Sequence, residues 1–294
     1  MKHALTIAGS DCSGGAGIQA DLKTFAAHGI YGMSAIVSVV AENTCRVLDI
    51  QDITPDMIEK QIIAVFEDIE VHAVKVGMLS TRAGMLAVSK MLKQYRPKHV
   101  VIDPVMVAKG GCALMQEEAL STLIEEMIPL ADVLTPNIPE AEAITGMKIQ
   151  SEEERKRAAV SIYQMGAKHV LIKGGHLSQE EDATDLLYDG NSFQTFATKR
   201  IPTKNTHGTG CTFSSAIASN LALGYAMPQA VANAKDYVTM AITHALEIGK
   251  GHGPTHHLYD IYQNGLTVKE NEHDQKCIGI HYRAEPPEHR GNQR

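Results

Sequence analysis

Short apolar runs that alternate with helix-length amphipathic segments set the tightest limit on how this chain can fold. "HALTIAG" precedes "GIQADLKTFAAHG", "SAIVSVV" precedes "PDMIEKQIIAVFEDI", and "AVKVGM" leads to a helix through "MLAVSKML". "HVVIDPV" then precedes "EEALSTLIEEMI", "DVLTPN" precedes "PEAEAITG", and "HVLIKGG" follows a charged helix opening at "SEEERKRAAV". Strands that are apolar on both faces and separated by helices belong in a parallel sheet covered on both sides, so the expected class is doubly wound α/β. "ATDLLYDGNSFQTFAT" departs from the alternation: two β-rich runs flank Asp189-Gly190, a hairpin turn signal that adds an antiparallel edge. Two helices, "CTFSSAIASNLALG" and "PQAVANAKDYVTMAITHALEIG", and the segment "GKGHGPTHHLYD" complete the body.

A chain of 294 residues with 44% hydrophobic content can bury a large core, and we read residues 1–264 as one α/β domain. Beyond about residue 265 the composition turns charged, helix-poor and proline-containing, so residues 265–294 are expected to be a mobile tail. A net charge of −7, no tryptophan and few aromatics argue against nucleic acid as a partner. The apolar run "AIVSVVA" falls far short of the ~20 residues of a membrane span, and "MKH" enters a strand-like run without the layout of a signal peptide. A soluble, cytoplasmic protein is expected. Cys12, Cys45, Cys112, Cys211 and Cys277 are odd in number and scattered, with no C-x-x-C pair, which points to reduced thiols.

Several polar residues stand where doubly wound sheets bind ligands, at the carboxyl ends of strands. "GSDCSGGAGIQAD" is rich in small residues between a strand and a helix, so backbone can approach a ligand closely, although an ordinary βα turn has the same composition. Within it Asp11 and Asp21 could bind polar groups, or Asp11 could cap the turn. "VVAENT" leaves Glu42 and Asn43 just past a buried run, as ligand contacts or as turn residues. "TPNIPEAE" sets Asn137 and Glu140 on one helical face, a pair suited to Mg²⁺ and equally to helix capping. Lys173 in "LIKGGH" is a candidate phosphate contact.

"IPTKNTHGTGCTFSSAIASN" is the most specific stretch. Gly208, Thr209 and Gly210 expose successive amides while the following helix directs the positive end of its dipole at the same point, which makes an anion hole. Cys211 lies in the first helical turn, where its thiol pKa is expected to fall. Core filling is the usual role of a lone cysteine in an apolar helix, and the adjacent anion hole outweighs it here.

With "ALTIAGSDCSGGAGIQADLKTF", "VVAENT", "KVGML", "VIDPVM", "TPNIPEAE", "KGGH", "NTHGTGCT" and "GPTHH" in this order, the chain resembles the ribokinase-like superfamily. Within it the resemblance is to the hydroxymethylpyrimidine/phosphomethylpyrimidine kinases of thiamine biosynthesis, from about Leu5 to His257. The resemblance implies a ribokinase-like fold and ATP, with Mg²⁺, as phosphoryl donor to a pyrimidine hydroxymethyl group and then to the monophosphate. It implies Glu42, Gly9, Asp21, Met78 and His207 at the pyrimidine; Lys173, Asn137 and Thr206 at ATP; Glu140 and Asn137 at Mg²⁺; Gly208, Thr209 and Gly210 around the developing charge; and Cys211 as general base. It further implies a homodimer. Sugar kinases of the superfamily usually carry aspartate at the position of Cys211, so the cysteine marks a vitamin-kinase branch and favours a base over a nucleophile.

Three alternatives stand beside this reading. A pyridoxal or pyridoxine kinase, alone or as a second activity, would use a similar Gly-Cys turn. A cysteine-nucleophile hydrolase would need a histidine held against Cys211, and His207 is the sequence neighbour. A silent binding protein would not call for the full set of phosphate and metal candidates.

Overall fold

A nine-stranded sheet runs through the middle of the computed structural model, which describes residues 1–108, 110–116, 118–174 and 182–265. In chain order the elements are β1 (His3–Asp11), α1 (Gly17–Ala27), β2 (Tyr31–Glu42), β3 (Val47–Asp52), α2 (Pro55–Phe66), β4 (Ala73–Val76), α3 (Arg82–Tyr95), β5 (Val100–Ile102) and α4 (Ala119–Thr122). They continue with β6 (Val133–Leu134), α5 (Ile138–Thr145), α6 (Glu152–Gln164), β7 (Val170–Ile172), β8 (Asp182–Tyr188), β9 (Phe193–Lys199), α7 (Thr209–Ala222), α8 (Met227–Thr243) and α9 (Tyr259–Asn264). The order across the sheet is β3-β2-β1-β4-β5-β6-β7-β8-β9. From β2 through β7 neighbouring strands are parallel, while β3 at one edge and β8 and β9 at the other are antiparallel. The expected doubly wound class and the Asp189-Gly190 hairpin are both present; Gly190 takes φ 93, and Asp189 Oδ1 accepts from Asn191 N and Ser192 N.

Both faces of the parallel strands are covered, which is why those runs carry no polar alternation. Leu5, Ile7, Val74, Val76 and Ile102 face α2 and α3 through Ile58, Ile62, Met85 and Met91. On the other face Ala4, Ala73, Val101 and Leu171 meet Phe25 of α1, Phe213, Ile217 and Leu221 of α7, and Val231 and Val238 of α8. Each Val, Leu, Ile, Phe or Met among these, once buried, contributes about 1.5–3 kcal/mol. Helix α7 is buried from Thr212 to Ala222, and its small serines allow that close approach while bonding within the protein: Ser214 and Ser219 return to carbonyls four residues back.

Two elements differ from the sequence expectation. "VLDIQD" forms β3, a mostly exposed edge strand whose acids and scattered apolar residues carry no core-facing period. Its turn is closed by Asn43, whose Oδ1 accepts from Cys45 N and Arg46 N, so Asn43 serves as a turn residue. Where the sequence suggests a single helix, Ala119–Thr122 form one α-turn that widens into a π-helical turn over Leu123–Met127 and tightens into a 3-10 turn over Ile128–Leu130. Pro129 donates no hydrogen bond and crowds the preceding turn, which ends regular α-helix there.

The chain passes from β1 outward to β2 and β3, then returns to the opposite side of β1 for β4. The carboxyl end of β1 is therefore a topological switch point, where doubly wound sheets leave a crevice. No helix among the described residues is long and apolar enough to cross a membrane. The tail expected over 265–294 lies outside the described residues, apart from Gly265, which ends α9.

Candidate active site

All but one of the strands meeting the crevice lead into a polar residue, β4 running instead from Val76 into Gly77 and Met78. β1 delivers Asp11, β2 Glu42, β5 Asp103, β6 the Asn137 turn and β7 Lys173. The start of α7 lies across this edge. Gly208 is left-handed (φ 78), and a Cβ there would run into the carbonyl oxygen of Gly15, so only glycine lets the two loops touch. By the geometry of a helix start, the amides of Gly210 and Cys211 are left without helical acceptors. Thr209 reaches back to Thr206 O through its hydroxyl at 2.8 Å and fixes the turn.

Lys173 and Asp103 stand directly against this anion hole. Lys173 Nζ is 2.6 Å from Asp103 Oδ1, and a Cβ on Gly210 would lie 3.4 Å from Lys173 Nζ and 3.3 Å from Asp103 Oδ2. Asp103 is buried; Thr135 donates to its Oδ1, and its Oδ2 has no hydrogen-bond partner. Burial pushes the Asp103 carboxyl up, but Lys173 and Lys75 hold it below the usual carboxylate range. Asp103 was not singled out from the sequence, although the signal that marked Glu42, a polar residue just after a buried strand, is present in "VVIDP".

Asn137 and Glu140 form a reciprocal capping box on α5: Asn137 Oδ1 accepts from Glu140 N at 2.9 Å, and Glu140 Oε2 accepts from Asn137 N at 2.8 Å. The cap alternative is thus realised. It takes one of the two lone pairs of the Asn137 oxygen and leaves the amide nitrogen free of the cap, a donor that suits a phosphate oxygen. Burial pushes the Glu140 carboxyl up to about 7; Lys173 pulls it down and Asp103 pushes it up. Asp103 and Glu140 are therefore the better-fitting oxygen donors for a hard cation: a buried carboxylate with an unmatched oxygen, and a carboxyl that burial keeps from ionising until positive charge arrives.

At the other end of the crevice Asp11 Oδ2 accepts from Gly15 N, Ala16 N and His207 Nε2 at 2.9, 2.7 and 2.9 Å, and Oδ1 accepts from Ser13 N at 2.7 Å. Burial pushes Asp11 up, yet these hydrogen bonds, that of His207 foremost, hold it well below the usual carboxylate range. One polar side-chain atom from each of Asp11, Glu42 and His207 lies within 4.8 Å of those of the other two. Burial pushes the Glu42 carboxyl up to about 7, with Asp11 adding to the rise and His207 opposing it. Gly9 lies nearby in a bulge of β1, where a Cβ would stand 2.8 Å from both Met78 Cε and Ser38 Oγ.

Two expectations change in the structure. Asp21 does not present an oxygen to the crevice: it is fully buried, with Ser215 on Oδ1 at 2.6 Å and Thr6 and Lys75 on Oδ2 at 2.6 and 2.9 Å. Lys75, hidden in the apolar run "AVKVGM", is its buried counter-ion. The Cys211 thiol pKa is raised rather than lowered. Burial pushes it up to about 11; Lys75 pulls it down, while Asp21 and Asp103 push it up. The helix start is present as expected, and loss of water outweighs it.

Residues 11–256 match the phosphomethylpyrimidine kinase family. A hydroxymethylpyrimidine/phosphomethylpyrimidine kinase of Bacillus subtilis is 48% identical over 257 residues, 87% of this chain and 95% of that protein. The thiamine biosynthesis bifunctional protein ThiED of Geobacter sulfurreducens is 50% identical over 254 residues, 86% of this chain, which spans 52% of that longer protein. Among solved structures, a phosphomethylpyrimidine kinase of Clostridium difficile shares 50% identity with TM-score 0.74, covering 82% of this chain and all (100%) of that one. An ADP complex of Bacillus subtilis pyridoxal kinase shares 41% identity with TM-score 0.82, covering 88% and 98%.

Proposed function

The chain belongs to the phosphomethylpyrimidine kinase family, and we infer that the crevice transfers the terminal phosphoryl group of ATP to 4-amino-5-hydroxymethyl-2-methylpyrimidine and then to the monophosphate formed. The observation that carries this reading is the two-ended site. A carboxyl group beside Asp11 and His207 stands at one end, and a lysine against the first amides of α7 stands at the other, with Gly15 pressed on Gly208 between them.

Glu42 takes the amino edge of the ring, and Gly9 and Met78 form the floor beneath it. Lys173, Thr206 and the amide of Asn137 hold the nucleotide phosphates. The amides following Gly208 face the negative charge that spreads over the transferring group, where fixed donors cost no reorganisation. Asp103 and Glu140 would hold Mg²⁺, with Asn137 reassigned to phosphate. The ion would supply positive charge to the phosphate oxygens. Cys211 receives the hydroxyl proton in the first transfer. The family's site set placed Asp21 at the pyrimidine; its buried position supports a part exercised through Lys75 beneath Cys211 instead.

An ATP-consumption assay comparing the hydroxymethylpyrimidine, pyridoxal and pyridoxine tests the reading, with turnover of the pyrimidine expected to lead. Likeness to the pyridoxal kinase structure favours pyridoxal as the second substrate; an enzyme that turned over pyridoxal alone would displace the pyrimidine. Glu42→Ala should raise the pyrimidine KM by the equivalent of ~1.5–3 kcal/mol, the worth of a charge-assisted hydrogen bond. Glu140→Gln should weaken Mg²⁺-dependent turnover and leave pyrimidine binding nearly intact, as calorimetry without nucleotide can read. Loss of pyrimidine binding with unchanged magnesium dependence would refute the assignment of Glu140. We also hold to a cytoplasmic homodimer. Leu48 on the β3 edge and Val39 on β2 are exposed apolar residues that suit a second copy, and sedimentation at micromolar concentration tests it.

A further inference from the structure

Asp11, Glu42 and His207 bring two carboxyl groups and one imidazole together at the pyrimidine end of the crevice. Even with His207 protonated, the cluster carries one negative charge more than it can neutralise from within. Asp11 is committed to the anionic form by three backbone amides and His207. Glu42 has no such set of donors among the described residues, and its carboxyl lies within 4.8 Å of the Asp11 oxygen and the His207 nitrogen, so that an ionised Glu42 would face the Asp11 charge at close range. Among the described residues around it, Cys12 contacts the Glu42 backbone, and the cation Arg46 lines the same pocket together with the uncharged Ala108 and Gly110.

A protonated carboxyl has a donor and an acceptor side by side. A 4-aminopyrimidine has the complement, an amino N–H next to the lone pair of a ring nitrogen, and the two close a pair of hydrogen bonds about one shared proton. Moving that proton to the ring gives a carboxylate facing a pyrimidinium, with the same composition and the same two bonds. We propose that Glu42 binds the pyrimidine as a one-proton pair, the proton being favoured there by the adjoining Asp11 carboxylate and opposed by His207, so that the site selects rings with an amino group adjacent to a ring nitrogen. A ring whose hydroxyl has no ring nitrogen beside it offers only half of this match. The inference rests on the pyrimidine reading above and deepens it.

Burial and Asp11 put the free Glu42 carboxyl near 7, so the proton is already present below that pH and must be drawn from solvent above it. Calorimetric titration of the whole protein with 4-amino-5-hydroxymethyl-2-methylpyrimidine, without nucleotide and in buffers of different ionisation heat, reads this directly. Proton uptake at pH 8 should be about 0.9 per site, and affinity should fall roughly 15-fold between pH 7 and pH 8.5. Glu42→Gln supplies a fixed donor and acceptor in the same places and cannot titrate. It should abolish the pH dependence above 7 and, at pH 8.5, bind more tightly than the parent. His207→Gln, which removes the imidazole facing the pair, should move the midpoint of proton uptake to higher pH. Pyrimidine binding with no proton uptake at pH 8, or an unaltered pH dependence in Glu42→Gln, overturns the shared proton while leaving the kinase reading in place. An unmoved midpoint in His207→Gln overturns the part given to His207. No pyrimidine binding at any pH overturns both readings.

Discussion

Cys211→Ala should slow phosphorylation of the free pyrimidine by ~10²–10⁴-fold, the usual worth of a positioned base, while phosphorylation of the monophosphate stays within a few-fold of the parent. The two acceptors differ in what they ask of a base. An alcohol must lose its proton as the new bond forms. A phosphate monoester has a second pKa of about 6, so near pH 7.5 its attacking oxygen carries no proton. The structure adds a pH signature. Because burial puts the Cys211 thiol near 11, the thiolate is scarce at neutral pH and its population rises about tenfold per pH unit. The rate of the first transfer should therefore climb between pH 7 and pH 9, and the second should stay flat. Single-turnover measurements from each acceptor separate the steps from product release. Equal losses in both steps for Cys211→Ala, or a first step without the alkaline rise, would make Cys211 a packing residue at the anion hole.

The parallel body of the fold was legible because period decides it: strands buried on both faces read as unbroken apolar runs, and the helices between them carry one apolar stripe. Strand β3 was not. "VLDIQD" buries little, so no face of it records the sheet it joins. The site was legible by position, since Asp11, Glu42, Asn137 and Lys173, singled out at strand ends, lie along one edge, whereas Asn43, singled out beside Glu42, closes the turn into β3. What those side chains touch was not. Asn137 and Glu140 fit a cap and a metal pair equally well in sequence; the cap forms within four residues of chain and needs no ligand, so it forms in the protein alone. Asp103 and Lys75 went unnamed because their meaning comes from partners 70 and 54 residues away, Lys173 and Asp21. The same distance misleads at Cys211. A helix start is visible in six letters, while the burial that overrides it comes from the surrounding strands.

Lys75→Met should cost about 3–5 kcal/mol of folding stability, because it leaves the Asp21 carboxylate fully buried without a counter-charge. Thr6 and Ser215 would still donate to it, and two hydroxyls do not replace an ammonium. Burial alone would depress the Lys75 pKa, but Asp21 holds the ammonium above its ordinary value of 10.5. The stabilisation is thus fully present below about that pH and is lost only as pH rises through the higher folded value, so the deficit should be the same at pH 6 and pH 8. Lys75→Met combined with Asp21→Asn removes both charges, keeps an amide for the two hydroxyls, and should recover most of the loss in a denaturant titration. It should not recover the first phosphorylation. Ser215, one turn beyond Cys211, ties α7 to Asp21, and Lys75 is the leading positive charge drawing the Cys211 thiol pKa downward. The double variant also removes Asp21, which pushes that pKa up, but Lys75 is the larger of the two influences, so the alkaline rise of the first step should still move to higher pH, by less than in Lys75→Met alone. Full recovery of both stability and that rate would mean that the buried pair serves packing alone.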